Sequence, residues 1–241
     1  MVGLARRKDR LEGVMEECRR LGVRAEAVVG DITRAADIRK AVELAVREFG
    51  GLDVVVANAG FAVIGRLDRL SLDDYRRQFE VNVFGALATV QGALAELRRS
   101  RGAVILMGSV SGHVAMPSSS AYSMSKFAVR SLAEALGPEL REDGVSVTLV
   151  TPGYVASEIR RVDRQGVFHP ELAEPLSRAM LMPADVAARK IVCAAHRRRS
   201  EIRITWIAHA AILLQNFLPG LARWIKSAKA RVKADEPGPG A

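Results

Sequence analysis

Cysteine, aromatic residues and unbroken apolar stretches are all scarce in this chain. Its two cysteines, Cys18 and Cys193, match neither a disulfide framework nor a metal-binding spacing, so we expect a reducing compartment and no bound metal. Aromatic residues make up only 5% of the chain, and no nucleic-acid-binding motif accompanies its net charge of +9, so we expect no nucleic-acid partner. The first ten residues carry charges where a secretory signal needs an apolar run, which favours a cytoplasmic location.

Strand-like and helix-like segments alternate along most of the 241 residues. Repeated β-then-α units of this length predict an α/β fold, with a doubly wound parallel sheet between two layers of helices. The predicted strands are 1–5, 23–31, 52–60, 102–112, 145–153 and 201–205. The predicted helices are 11–21, 33–50, 71–100, 120–143, 183–196 and a C-terminal helix that starts at 206. No linker interrupts the pattern before residue 205, so we predict one domain over 1–205 and a separate C-terminal region over 206–241.

Three short stretches rich in small residues stand where predicted strands end. They are Asn58-Ala59-Gly60, Gly108-Ser109 and Pro152-Gly153. Because ligands of a parallel α/β sheet bind at the carboxyl ends of its strands, we expect these stretches to meet in one crevice. Tyr122 and Lys126 open the helix after the second stretch and lie one helical turn apart on the same face.

A tyrosine one turn away from a lysine can act as an acid–base pair. An isolated phenol has a pKa of about 10 and exchanges protons poorly at neutral pH. A fixed ammonium nearby stabilises the phenolate, so we predict that Lys126 lowers the pKa of Tyr122. Ser109 would hydrogen-bond a substrate oxygen and hold it beside the phenol. The alternative is that Tyr122 and Lys126 are only neighbours on a solvated helix face.

Taken together, these motifs resemble the short-chain dehydrogenase/reductase family. The matching residues are Asn58-Ala59-Gly60, Asn82 in NVFG, Ser109, Tyr122-x-x-x-Lys126 and the PGYV stretch over 152–155, in the family's order and spacing. The resemblance covers residues 1–205. It implies a Rossmann-like sheet and an NAD(P)-dependent oxidoreductase that acts on a carbonyl or secondary alcohol.

The resemblance also implies a role for each matching catalytic residue. Tyr122 would be the acid–base residue, and Lys126 would lower its pKa and hold the ribose hydroxyls of the nicotinamide half. Ser109 would position the substrate oxygen. Asn82 would kink its helix and bind a water that relays protons to Lys126. The alternative for Asn82 is an ordinary polar residue on a long helix.

The residues implied to bind the cofactor stand at four predicted strand ends, in addition to Tyr122 and Lys126. Asn58, Ala59 and Gly60 would border the adenine ribose, and Asp31 would contact the adenine, although a turn residue is the alternative for Asp31. Val155 would receive the nicotinamide carboxamide, next to Pro152 and Gly153. Arg6 and Arg7 stand where NAD-preferring members carry an acid, and a guanidinium suits the 2′-phosphate of NADP. We therefore expect NADP rather than NAD, with two solvated arginines as the alternative.

The family's first strand, its Gly-rich phosphate turn and the helix that follows have no counterpart in the sequence. The fold is therefore expected to lack the first β-α unit. Since that strand lies in the middle of the family's sheet, its absence would leave two strands without a central neighbour. A start placed about 30 residues late would explain the absence, because a strand plus a helix needs about that length. A truncated product is the alternative.

The C-terminal segment over 206–233 combines an apolar helical face with a basic end. The apolar residues are Trp206, Ala210, Leu213, Leu214, Phe217, Leu218, Leu221 and Ile225. Polar interruptions and the break at Pro219-Gly220 argue against a membrane span. We predict an extra amphipathic helix and leave three positions open for it: on the inner face of an anionic membrane, on a partner subunit, or on its own domain.

The irregular segment over 157–182 is expected to cover the substrate. It mixes apolar residues with Arg160, Arg161 and Arg164, which favours an apolar ketone or alcohol substrate. By family resemblance we also expect a homo-oligomer formed through the helices that carry Asn82 and Tyr122. The alternative to an enzyme is a non-catalytic relative that binds a partner or a membrane through its C-terminal helix.

Overall fold

The computed structural model describes residues 1–234, with side chains through residue 228. Within these residues the six predicted strands occur in the predicted order, and eight α-helices replace the six predicted ones, because the predicted helices over 71–100 and from 206 onward are each divided in two. The strands are β1 (Val2–Ala5), β2 (Glu26–Val29), β3 (Val54–Ala57), β4 (Ala103–Met107), β5 (Ser146–Thr151) and β6 (Glu201–Arg203). The helices are α1 (Lys8–Arg20), α2 (Ala35–Phe49), α3 (Leu72–Phe79), α4 (Ala86–Ser100), α5 (Ser120–Glu139), α6 (Ala184–His196), α7 (Trp206–Phe217) and α8 (Pro219–Ala234).

All strand pairs are parallel and helices cover both faces, so the predicted three-layer α/β/α class is confirmed. Alternate residues of β4 face opposite layers. Val104 and Leu106 pack with α4 and α5, whereas Ile105 packs with α6. The near-continuous burial of β4 and β5 follows from this arrangement, since a strand covered on both faces has no solvent side.

The strands form two sheets rather than one, and this differs from the prediction of a single sheet. Within residues 1–234, β1 pairs only with β2, while β3, β4, β5 and β6 form the second sheet in that order. The edge of β3 leaves Val54 and Val56 about half exposed. The helix layer connects the two sheets, because α2 contacts β1 and β2 on one side and α4 on the other. The expected pair of strands without a central neighbour is thus present.

The predicted long helix over 71–100 consists of two α-helices joined by a wider turn. Ser71 and Asp74 form a capping box at its start, as their spacing indicates. Between α3 and α4, residues Glu80–Gly85 form a π-helical turn. Such turns insert one residue into the helical repeat and are frequent at functional sites. Here the turn carries Asn82.

The C-terminal segment bends at Leu218 into the helical hairpin α7–α8. Thr205 caps α7 through its side chain, and Lys226 donates a 2.9 Å hydrogen bond to Gln215 across the hairpin. Ala208 and Ile212 are buried on the domain side of α7. No helix within residues 1–234 is long and apolar enough to cross a membrane. The side chains of the basic residues Lys229, Arg231 and Lys233, and the residues beyond 234, lie outside the described part.

Candidate active site

Every predicted site residue outside the helices follows a strand directly, as the parallel topology requires. Arg6 and Arg7 follow β1, Asp31 follows β2, and Asn58-Ala59-Gly60 follow β3. Ser109 follows β4, and the stretch from Pro152 to Val155 follows β5. The loops after β4 and β5 touch directly, since the Val110 amide donates a 2.8 Å hydrogen bond to the Pro152 carbonyl.

Ser109, Tyr122 and Lys126 form a compact cluster at the end of β4. Ser109 and Lys126 are buried, and Tyr122 is half-buried in the first turn of α5. The Lys126 ammonium donates a 2.6 Å hydrogen bond to the Met107 carbonyl and lies 5.8 Å from the centre of the Tyr122 ring. The Ser109 hydroxyl accepts a 3.1 Å hydrogen bond from the Ser111 amide.

The close packing around Lys126 depends on a glycine. The 3₁₀ turn after Ser109 passes over α5 at Gly112, where a Cβ atom would lie 2.6 Å from the Lys126 carbonyl oxygen. Any other residue at position 112 would therefore push the turn away from α5. The Gly-Ser-x-x-Gly spacing thus keeps Ser109 next to the helix that carries Tyr122.

Burial dominates the proton affinities of the cluster. It raises the pKa of the Tyr122 phenol, while the hydrogen bond with Ser109 and the positive charge of Arg160 act in the opposite direction. Burial also lowers the pKa of Lys126 to about 8. In this state of the site the pKa of Tyr122 is thus raised rather than lowered, and the predicted effect of Lys126 on it stays a prediction. The ammonium is directed to the Met107 carbonyl, and a buried phenol favours its neutral form.

Asn82 fixes the loop that follows β3. Its side-chain oxygen accepts a 3.1 Å hydrogen bond from the Phe61 amide, and its side-chain nitrogen donates to the Phe61 carbonyl at 3.0 Å and to Ser125 Oγ at 3.2 Å. A Cβ atom on Gly60 would lie 3.0 Å from Asn82 Oδ1. Asn82 therefore holds this loop against α5, and the predicted distortion of its helix is present as the π-helical turn. Its role in a water relay stays a prediction.

Gln78, on α3, is a second buried side-chain amide that binds the same loop, and the sequence pattern did not indicate it. It is fully buried, accepts a 2.6 Å hydrogen bond from the Val63 amide and donates a 2.8 Å bond to the Phe61 carbonyl. Together, Gln78 and Asn82 provide hydrogen-bond partners for the backbone groups of Phe61 and Val63, which lie in a loop and not in a paired strand. Their spacing of four residues on a helix is the signal that could have identified the pair.

We predict that replacing Gln78 by leucine lowers the free energy of unfolding by about 2 to 3 kcal/mol, because the buried Val63 amide loses its acceptor. Urea denaturation of the two proteins would measure the difference. Gln91→Leu is the matched control, since Gln91 makes the same change at an exposed position of α4. Equal stability of the two variants would contradict the structural role of Gln78.

The predicted adenine-side residues are near the strand ends but make mostly local contacts. Asn58, Ala59 and Gly60 are exposed. The Asp31 carboxylate accepts 2.9 Å hydrogen bonds from the amide and the hydroxyl of Thr33, which is the turn arrangement that was its alternative. Binding of adenine by Asp31 stays a prediction.

Arg6 and Arg7 contact the irregular segment over 157–182, which the sequence did not indicate. Arg6 donates a 3.2 Å hydrogen bond to the Gly166 carbonyl. Arg7 forms a 2.6 Å ion pair with Glu158 and stacks on the Phe168 ring at 5.1 Å. Arg10 also pairs with Glu158, and the pKa of Glu158 is lowered, mainly by its hydrogen bond with Arg7. Of the two expected phosphate-binding arginines, Arg7 is thus bound to a carboxylate and Arg6 to a backbone carbonyl.

Arg160 links the segment over 157–182 to the catalytic cluster. It pairs with Glu174 through two hydrogen bonds of 2.5 and 2.9 Å and donates a 3.1 Å bond to the Val155 carbonyl. Val155 also pairs with Met182 in an isolated parallel bridge. Arg160 therefore orders the PGYV stretch, and its charge is compensated by Glu174 rather than left free for an acidic substrate.

A family model described as "short chain dehydrogenase" matches residues 1–167 of the chain. An uncharacterized oxidoreductase of Methylorubrum extorquens is 37% identical over 158 residues, which cover 66% of this chain and 63% of the relative. The chain therefore spans less than two thirds of that relative. An uncharacterized oxidoreductase of Staphylococcus aureus is 31% identical over 196 residues, which cover 79% of this chain and 84% of the relative.

Solved structures share the fold at lower identity. An alcohol dehydrogenase from the archaeon Thermococcus sibiricus, complexed with 5-hydroxy-NADP, superposes with a TM-score of 0.72 at 24% identity and covers 84% of this chain and 83% of its own. A gluconate 5-dehydrogenase from Burkholderia cenocepacia, in complex with NADP and tartrate, gives 0.74 at 20% identity over 87% of this chain and 85% of its own. At these identities the likeness establishes the fold.

Proposed function

Because the chain belongs to the short-chain dehydrogenase/reductase family, whose members are NAD(P)-dependent oxidoreductases, we propose that it transfers a hydride between NADP(H) and a carbonyl or secondary alcohol carbon. The observation that carries the proposal is the cluster of Ser109, Tyr122 and Lys126 at the end of β4. Its three side chains supply an oxygen-binding donor, a proton donor and a buried cation within one turn of α5 and the adjoining loop.

The residues of the cluster account for the proton half of the reaction. The bound nicotinamide supplies or accepts the hydride at the substrate carbon. In reduction, Ser109 binds the carbonyl oxygen, and the neutral Tyr122 phenol gives that oxygen its proton, so that an alcohol and a phenolate result. The Lys126 ammonium stabilises the phenolate until solvent returns the proton. In oxidation the same groups act in reverse, and the phenolate takes the alcohol proton.

The cluster fits the nicotinamide half of the cofactor. Lys126 is buried and has three N–H donors, of which Met107 accepts one among the contacts within residues 1–234. Spare donors on a buried ammonium need acceptors, and ribose hydroxyls would provide them. Val155, Pro152 and Gly153 would line the same half from the end of β5.

NADP is proposed over NAD because of Arg6 and Arg7, which follow β1. Glu158 now gives Arg7 and Arg10 the anionic oxygens that a 2′-phosphate would provide. Two of the solved structures that share this fold are themselves described as complexes with NADP or its 5-hydroxy derivative. Because Arg7 and Arg10 already hold the Glu158 carboxylate between them, they are suited to bind a phosphate dianion.

An apolar substrate and a homo-oligomer complete the proposal. The segment over 157–182 exposes Val167, Leu172 and Met180. Its residues Arg160, Arg161 and Arg164 are occupied by Glu174, by the Phe168 ring and by the Arg69 carbonyl, respectively. The two helices predicted to form the subunit contact also expose apolar side chains. Phe84 in the π-helical turn and Met124 and Phe127 on α5 are each about half exposed.

Nucleotide binding tests the cofactor proposal. We expect NADPH to bind more tightly than NADH. We also expect Arg7→Ala to weaken NADPH binding by about 10- to 100-fold, the value of one charge-assisted hydrogen bond, and to leave NADH unaffected. Glu158→Gln should strengthen NADPH binding, because it removes the competing carboxylate. Nicotinamide fluorescence measures each affinity, in this chain and in one lengthened at its N-terminus by the residues encoded upstream.

Arg39→Ala is the control for the loss of one positive charge, since Arg39 lies exposed on α2. Equal affinity for the two nucleotides, or an equal effect of Arg7→Ala on both, would contradict the NADP assignment. Failure of both chains to bind any nicotinamide nucleotide would contradict the enzyme proposal and favour the non-catalytic alternative.

A further inference from the structure

An apolar stripe on α7 faces solvent, although the sequence pattern alone would suit a helix that packs inward. Trp206, Ala210, Leu213 and Phe217 follow one another at intervals of four, three and four residues and are all exposed. Trp206 and Phe217 are each 76% exposed. The opposite side of α7 carries the buried Ala208 and Ile212, so the helix is already anchored on the domain by its other face. The stripe therefore contributes nothing to the fold of this chain.

The second helix of the hairpin extends the exposed apolar surface. Leu218, Leu221 and Trp224 are each about half exposed or more. The hairpin is held in shape by the hydrogen bond between Lys226 and Gln215 and by the burial of Ala222. Large exposed apolar residues, two tryptophans among them, on two helices that pack together and are fixed to a folded domain are the kind of feature that marks an interaction site.

The charge around this surface has one sign. From residue 202 through residue 234 the sequence contains no Asp or Glu, and it contains six Arg and Lys residues, at 203, 223, 226, 229, 231 and 233. A groove beside α7 adds Lys190, Arg199 and His209 to the same side of the domain, with Glu201 as its acidic member. Glu201 is already paired with His113 and Arg203.

Exposed apolar residues next to positive charges favour an anionic lipid surface as the partner. A second copy of the hairpin would bring five positive charges against five, and like charges across an interface oppose association. A lipid surface with anionic headgroups attracts the cations and takes the apolar stripe into its headgroup–acyl boundary. Tryptophan prefers this boundary, where its ring is apolar and its N–H can bond to water.

We propose that α7 and α8 form a peripheral membrane-binding surface, with the exposed stripe Trp206–Leu213–Phe217 and Trp224 inserted into the headgroup region of an anionic bilayer. The proposal does not depend on the proposed reaction, because none of these residues belongs to the catalytic cluster. It places the protein on a membrane surface, where an apolar substrate would be concentrated.

Intrinsic fluorescence gives a direct test, because the only two tryptophans of the chain, Trp206 and Trp224, both belong to this surface. The full chain is mixed with vesicles of phosphatidylcholine alone and of phosphatidylcholine with phosphatidylglycerol. We expect emission to shift to shorter wavelength, and the protein to sediment with the vesicles, only when phosphatidylglycerol is present. Added salt should reverse both effects.

Two variants separate the apolar and the electrostatic contributions. Phe217→Ser keeps both fluorophores and should abolish most of the binding. Arg223→Glu changes the charge by two units and should lower the partition coefficient by about 30-fold, at about tenfold per 1.4 kcal/mol and about 1 kcal/mol per charge. Leu21→Ser and Arg39→Glu are the matched controls, because Leu21 and Arg39 are exposed far from the hairpin in sequence and should leave binding unchanged.

Three results would overturn the proposal. Equal binding to both kinds of vesicle would remove the anionic lipid as partner. An emission shift that depends on protein concentration without lipid, together with a smaller particle for Phe217→Ser in light scattering, would assign the surface to a second copy. No shift and no sedimentation under any condition would show that the surface does not bind lipid.

Discussion

Replacing Tyr122 by phenylalanine is expected to lower the rate of hydride transfer by about 10²- to 10⁴-fold or more, the usual contribution of a positioned general acid. Only the hydroxyl is lost, and the ring still fills its place beside Lys126, so nicotinamide binding should remain. Burial raises the pKa of the Tyr122 phenol, which keeps it protonated at neutral pH. The phenol is therefore ready to act as an acid in carbonyl reduction, whereas alcohol oxidation first requires its deprotonation.

This state of the phenol predicts opposite pH dependences for the two directions. Reduction should be steady through neutral pH and fall at high pH, and oxidation should rise as the pH is raised. Both are measured by nicotinamide absorbance with a panel of apolar ketones and secondary alcohols. Tyr154→Phe is the matched control, because Tyr154 is partly exposed after β5 and makes the same chemical change. Loss of activity in both variants, or in neither, would contradict the role of Tyr122.

The sequence predicts the order of the elements and the edge where the site lies. Strand positions follow from apolar runs that stop at small residues, and the parallel topology then places Ser109, Asn58 and Pro152 at the same edge. The start of α5 is likewise a local property, so Tyr122 and Lys126 could be placed on one helical face. These features depend only on residues close together in the chain.

The features that the sequence does not indicate depend on contacts between distant segments. Gln78 lies in an amphipathic pattern where a glutamine would ordinarily face water, and only the folded loop at Phe61 and Val63 shows why it is buried. The ion pairs of Arg7 and Arg10 with Glu158 join residues about 150 positions apart, and no periodicity connects them. The pKa of Tyr122 depends on burial, which pattern analysis assigns only to apolar residues.

The division of the sheet is a further consequence of long-range pairing. A strand has two edges, and its sequence does not indicate which strand pairs with either edge. Here β3 pairs with β4 alone, and its other edge exposes Val54 and Val56, residues whose β-branched side chains suit a covered strand. The apolar pattern is the same in a paired and an unpaired strand, so it does not reveal the break; the family resemblance indicated it, through the two strands expected to have no central neighbour.

Burial of the charged Lys126 side chain in the candidate active site lowers the free energy of unfolding of the protein. The folded protein lowers the pKa of Lys126 from 10.5 to about 8 by burial, which corresponds to about 3 kcal/mol at neutral pH, where the lysine is charged in both states. A neutral side chain of similar length would avoid that penalty and lose only the hydrogen bond to Met107. We therefore expect Lys126→Met to be inactive and to gain about 1 to 2 kcal/mol in the free energy of unfolding.

The pH dependence gives the sharper test, and its sign follows from the direction of the shift. Between about pH 8 and pH 10.5 the unfolded chain holds the Lys126 proton more tightly than the folded chain, so the native protein gains stability as the pH rises. Lys126→Met lacks this gain. Between neutral pH and a pH above 10.5, the free energy of unfolding of the variant relative to the native protein should therefore fall by about 3 kcal/mol, which reverses its advantage.

Lys190→Met is the matched control for this change. Lys190 also donates a 3.0 Å hydrogen bond to a backbone carbonyl, that of Ile204, but its residue is exposed. Its replacement should give no gain in stability, because an exposed side chain avoids the desolvation penalty that a buried ammonium has. If Lys126→Met is less stable than the native protein at every pH, then the ammonium stabilises the fold through its hydrogen bond to Met107. That result would contradict the expectation that burial of Lys126 destabilises the protein.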